Sequence, residues 1–185
     1  MDTVYTANMN VIAISGSLRK GSYNTMLVHN LQPLAPENMK IEIVEIGTLP
    51  LYNQDDEANF PTAAQALKDK IEKANGIIIS TPEHNRSISS VLKNAIDWAS
   101  RPYGKNSFAR KTVLTMGVSG GKIGTAVAQS HLRHILLHLN ADLIGQPELY
   151  FGPAQELFDA EGNLTNDPAK ELLKKALGVF AERAA

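Results

Sequence analysis

Between Ile14 and Asn24 the chain reads Ile-Ser-Gly-Ser-Leu-Arg-Lys-Gly-Ser-Tyr-Asn. A short apolar run, Val11-Ile12-Ala13-Ile14, precedes it, and Met26, Leu27 and Leu31 follow at helical spacing. A polar, glycine-containing segment thus joins a buried strand to a helix. Such a turn collects backbone N–H groups, which attract anions. Ser15, Ser17, Ser22, Tyr23 and Asn24 add hydroxyl or amide groups, and Arg19 and Lys20 add positive charge. This is chemistry suited to a phosphate. No Gly-Lys-Ser/Thr closes the segment, so it is not a Walker A loop, and it does not read Gly-x-Gly-x-x-Gly. The other reading is an ordinary polar connection capped by Ser22 or Asn24. On these residues alone both readings stand.

Two further polar segments follow apolar runs. Ser80-Thr81-Pro82-Glu83-His84-Asn85-Arg86-Ser87 comes after Ile77-Ile78-Ile79, and Ser119-Gly120-Gly121-Lys122-Ile123-Gly124 comes after Val113-Leu114-Thr115-Met116-Gly117-Val118. His131, His134 and His138, spaced by three and four, share one face of a helix. Histidine is a frequent zinc ligand. However, three ligands on successive turns of one straight helix lie too far apart along its axis to close around one ion. A polar stripe or interface is the plainer reading, with a two-histidine site across a dimer axis as the remaining alternative.

The elements that must position these segments follow from periodicity. Residues 41–46 alternate apolar and acidic and predict a strand towards a sheet edge. Residues 47–61 form a long loop of the kind that is more often functional than idle. Pro61 suits the first position of a helix running to Ala74. Ile88, Val91, Leu92, Ala95, Ile96 and Ala99 give the next helix a continuous apolar face. A further helix spans about 125–139, and a last strand starts at Ala141. Asp167 is read as the cap of a terminal helix that has Pro168 at its first position. Five βα units in succession predict a parallel sheet covered on both faces. Ligands of such sheets sit beyond the strand C-termini, where the winding reverses. With strand order 2-1-3-4-5, the three polar loops converge there, which favours the phosphate reading.

Composition narrows the function. A chain of 185 residues is read as one domain, residues 1–185, with 43% hydrophobic and 20% charged residues. A net charge of −1 argues against general nucleic-acid binding. The chain has no cysteine, so redox chemistry must come from a bound cofactor. No apolar run suits a membrane span, and Met1-Asp2-Thr3-Val4-Tyr5 lacks the features of a signal peptide. A cytoplasmic protein is expected.

Three stretches, residues 16–24, Thr81-Pro82-Glu83-His84-Asn85 and Leu92-Lys93-Asn94-Ala95-Ile96-Asp97-Trp98, together resemble the NADPH-dependent FMN reductase family. Within it the chain looks most like bacterial quinone and chromate reductases and related azoreductases. The resemblance implies a flavodoxin-like fold of three layers, a doubly wound α/β fold with a five-stranded parallel sheet in the order 2-1-3-4-5. It also implies FMN as cofactor, NADPH or NADH as co-substrate, small-molecule electron acceptors, and a homodimer or homotetramer.

Carried over by position, Ser17, Arg19, Ser22, Tyr23 and Asn24 would hold the FMN phosphate. Pro82, Glu83, His84 and Asn85 would line the ring, mostly through backbone groups, and Ser119, Gly120 and Gly121 would sit at its other edge. His84 and Arg86 would face the acceptor. The resemblance names no catalytic side chain and no metal. His84 stands where the family usually has tyrosine. Its backbone N–H would still hold the flavin, while its imidazole would tune acceptor choice with pH. Residues 86–90 lack the Pro and Gly common there, so a less tightly turned loop is expected. A flavodoxin-like electron carrier, or a partner protein without NAD(P)H turnover of its own, is the competing function. Trp98 is expected to pack at the helix end or a subunit interface.

Overall fold

A computed structural model describes residues 8–185; the N-terminal residues 1–5 considered above lie outside them. Four strands run side by side: β1 (Met9–Ser15), β2 (Met39–Ile43), β3 (Gly76–Ser80) and β4 (Thr112–Val118). All five residues of β3 and all seven of β4 are buried, as expected of central parallel strands covered on both faces. In β2, Lys40 and Glu42 are exposed, which suits an edge. The order is β2-β1-β3-β4-β5, with β5 at Asp142–Leu143, all parallel, and Ile12 lies opposite both Glu42 and Ile77.

The fifth strand departs from the single strand expected. It comes in two pieces, β5 (Asp142–Leu143) against Thr112–Val113 and β6 (Tyr150–Phe151) against Gly117–Val118. Pro147 lies between them, and a proline has no N–H to offer a ladder.

Helices α1 (Tyr23–His29) and α5 (Asp167–Ala184) cover one face of the sheet. The other face is covered by α2 (Thr62–Lys73), α3 (Ser90–Ala99) and α4 (Ala126–His138). Strand alternation feeds both layers. Val11, Ala13, Ile78 and Leu114 join Leu27, Leu173, Leu177 and Phe180, while Ile12, Ile14, Ile77 and Ile79 join Ile71, Leu92, Ile96 and Leu132. At Gly76 a Cβ would come within 2.5 Å of Phe180 Cζ, so only glycine lets α5 seat there.

The helix starts shift by a residue from the sequence reading. Asn166, not Asp167, caps α5, accepting Ala169 N–H at 3.0 Å, and Pro168 takes the second helical position. Pro61 occupies the cap position of α2 rather than its first turn. Ser89 caps α3 by accepting from Leu92 N–H at 3.3 Å.

Trp98 is fully buried within this chain, edge-on to Tyr52 and Phe60 at 5.0 and 5.1 Å, and donates to Pro50 O at 2.8 Å. Asn94, one turn earlier, donates to Pro50 O and accepts from Tyr52 N–H. The Asn94–Trp98 spacing thus pins the loop over residues 47–61 to α3. Arg101 joins it by bonding Glu57 at 2.6 Å, and Glu57 also accepts from Tyr52. Among the described residues no helix is long and apolar enough to cross a membrane.

Candidate active site

A cavity of about 610 Å³ opens beyond the C-termini of β1, β3 and β4, at the winding reversal. That volume is within the usual range for a small-molecule site. Residues 16–19 and 22–24 form one wall, Pro82, Glu83 and His84 a second, and Ser119 and Gly120 a third. The three loops singled out in the sequence therefore meet. Gly16, Leu18, Ser89, Ser90, Val91 and Val118 also line it and were not singled out. The serine pair just before the apolar face of α3 was the signal available for Ser89 and Ser90. Ser89 donates its hydroxyl to Gly16 O and so ties the start of α3 to the first loop.

The first loop is held from within. Ser15 Oγ lies 2.8 Å from Thr25 Oγ1, Ser17 N–H donates to Ser15 Oγ, and Ser22 N–H donates to Arg19 O. Ser22 occupies the cap position of α1 but makes no capping bond with its hydroxyl. Arg19 is exposed, lies over the Tyr23 ring at 5.8 Å and donates to Lys20 O at 3.2 Å. Tyr23 in turn stacks on Phe158 at 6.0 Å.

Asn24 lines the cavity, and its side chain also serves the fold: Nδ2 donates to Val118 O at 3.0 Å, and Oδ1 accepts from Val118 N–H at 3.1 Å and from Ser80 Oγ at 2.9 Å. It locks α1 to the ends of β3 and β4.

The second loop is tighter than expected. His84 and Ser87 exchange both backbone hydrogen bonds at 2.9 Å, with Asn85 at φ +49° and Arg86 at φ +63° between them. Two central residues at positive φ make a primed two-residue turn. The His84 N–H is therefore spent on this turn and not free for a ligand, against the sequence reading. Asn85 at the tip does not line the cavity, and nor does Gly121. Arg86 is turned back to Glu83, Nη1 to Oε1 at 2.9 Å, with its side chain 67% exposed.

Ser119 donates its hydroxyl to Gly121 O at 2.9 Å and its N–H to Phe151 O, so β6 fixes the third loop. A Cβ at Gly120 would meet nothing within 4 Å. The protein itself does not demand glycine there; the bare backbone faces open cavity. His131 Nδ1 lies 3.1 Å from Ser87 Oγ, and His134 and His138 border a separate groove between α3 and α4. Among the described residues no three potential ligands gather to hold a metal ion.

Residues 9–156 match the family model for NADPH-dependent FMN reductase. The chain belongs to this family. It is 43% identical over 173 residues to a 2-hydroxy-1,4-benzoquinone reductase of Burkholderia sp., covering 94% of each chain. With a quinone reductase of Pseudomonas putida it shares 41% identity over 182 residues, 98% of this chain and 95% of that one. The solved structure of FerB, a flavoenzyme NAD(P)H:(acceptor) oxidoreductase from Paracoccus denitrificans, superposes with a TM-score of 0.88 at 39% identity, covering 95% of this chain and 97% of that one. The cavity suits the family's cofactor. The first loop offers hydroxyls and the Arg19 guanidinium to a phosphate, and the open backbone at Gly120 leaves room for a flat ring.

Proposed function

We propose that this chain is an FMN-dependent NAD(P)H oxidoreductase that reduces quinones and related small acceptors, chromate, azo and nitro compounds among them. On this reading residues 1–185 are a single flavodoxin-like domain, working in the cytoplasm as a homodimer or homotetramer. The observation that carries the reading is the cavity itself: a hydroxyl- and arginine-bearing loop and an unobstructed glycine backbone facing one space of about 610 Å³. Bound FMN supplies the two-electron chemistry, and the protein orients it and tunes its electronics.

Each residue then has a physical task. Ser17, Ser22 and Arg19 hold the phosphate, and Arg19 offsets its charge. Pro82, Glu83 and His84 form one wall of the ring site. Backbone N–H groups around Gly120 approach the ring closely because no Cβ intervenes, and they favour negative charge on it. The His84 imidazole borders both this cavity and the adjoining one over Ser87, Ser90 and Lys93, where it meets an incoming acceptor. Arg86, held by Glu83, is assigned to the acceptor with His84.

The test is steady-state NADPH oxidation by FMN-loaded protein with a small quinone as sole acceptor. Turnover without any added protein is expected. NADPH oxidation that appears only when a separate reductase is supplied would identify an electron carrier instead.

A further inference from the structure

The first amides of a helix need acceptors, and the residue at its start usually supplies one. In α4 that residue, Thr125, makes no capping bond: its φ is +65°, and its hydroxyl accepts from Gln129 Nε2 at 3.2 Å. The acceptor comes instead from the loop after β3. Glu83 Oε2 takes Val127 N–H at 3.1 Å and Ala128 N–H at 3.2 Å, and Oε1 takes Arg86 Nη1 at 2.9 Å. The Glu83 side chain is only 11% exposed, although the residue borders the cavity. Its carboxylate is engaged at the start of α4.

This bond joins two of the cavity's walls. Glu83 belongs to the wall of Pro82, Glu83 and His84. Helix α4 follows directly from the loop that carries Ser119 and Gly120, so its first turn anchors the opposite wall. We propose that Glu83 is a positioning residue: by capping α4 from the neighbouring loop, it fixes the separation of the two loops that flank the flavin ring. The inference rests on FMN occupying this cavity. Burial alone would raise the pKa of Glu83, but the two amides and Arg86 outweigh it and hold the carboxyl below its usual range. The clasp is therefore closed throughout the neutral range.

A cap that served stability alone is separable from a clasp. Ala126→Asp places a carboxylate on the first turn of α4 itself, where it favours the helix without reaching the other loop. Three variants are compared with wild type: Glu83→Gln, Glu83→Ala, and Glu83→Ala combined with Ala126→Asp. For each, Tm of the flavin-free protein, FMN dissociation constant and backbone amide exchange at residues 119–121 are measured.

Glu83→Ala is expected to lower Tm, weaken FMN at least tenfold and speed exchange in the loop. Glu83→Gln keeps a neutral acceptor and loses a few-fold in affinity, which covers the case in which the alanine variant does not fold. The double variant recovers Tm but neither FMN affinity nor slow exchange. Recovery of all three together would overturn the proposal, as would an affinity in Glu83→Ala within twofold of wild type. Wild-type protein that takes up no FMN refutes the flavin reading instead. The clasp is then judged by exchange alone, and unchanged exchange in Glu83→Ala overturns it.

Discussion

Among the described residues, Arg19 is the one lysine or arginine lining the cavity. A hydrogen bond to a charged group contributes about 1.5–3 kcal/mol, so Arg19→Ala is expected to weaken FMN roughly ten- to a hundredfold. Riboflavin, which lacks the phosphate, should be nearly unaffected; equal losses for both ligands, measured by titration, would show that Arg19 does not read the phosphate. Gly120→Ala makes the complementary prediction. A methyl group there meets no protein atom within 4 Å, so Tm of the flavin-free protein should stay unchanged while FMN affinity falls. A lower Tm with intact affinity would mean that glycine serves the fold. The loop residues were legible in the sequence because strand, polar turn and helix follow one another directly. The internal bonds of Asn24 and Glu83 were not legible because their partners lie far along the chain. Asn24 bonds Val118, and Glu83 bonds Val127 and Ala128. No local pattern displays such contacts.

At the scale of elements, the apolar runs of β1, β3 and β4 and the apolar faces of α3 and α5 announced themselves, since burial on one or both sides leaves a periodic trace. The divided fifth strand did not, because two residues paired at each end of an irregular connection leave no period to read. The turn at 84–87 was also hidden. Primed turns usually advertise themselves with glycine, and here Asn85 and Arg86 adopt positive φ without it.

Glu83, which joins two elements, gives a pH prediction. Its folded pKa lies below the ordinary carboxylate value, which is about 4.3 in an unfolded chain. Its contribution to stability is therefore fully present above that value and is lost as pH falls through the lower folded pKa. The Tm difference between wild type and Glu83→Gln should hold steady from neutrality to about pH 5 and shrink below about pH 4. A difference that does not change with pH would mean that the ionised carboxylate is not what caps α4.

For the whole molecule, the face between α3 and α4 is where self-association is expected. Leu136 is buried against the sheet, whereas Leu137 is 62% exposed and Leu139 half-buried. Leu137 borders a groove with Ile96, Ile135 and Leu139, rimmed by Lys93, Asp97, His134 and His138. Leu51 and Tyr103, on the segments beside the end of α3, are also exposed. Grouped apolar surface of this kind marks an interaction site. Sedimentation of FMN-loaded protein at micromolar concentration should show a dimer or tetramer, and Leu137→Glu should shift it towards monomer with the fold intact. A wild-type monomer under those conditions would contradict this use of the face.

The central claim is that the three loops hold a flavin that takes electrons from NAD(P)H. The visible absorption spectrum of the protein, purified after incubation with FMN, tests it most directly, recorded before and after NADPH is added without oxygen. The account predicts a yellow protein that bleaches on NADPH and regains its colour when a quinone is added. A protein that stays colourless after FMN loading, or whose colour NADPH leaves untouched, would contradict it.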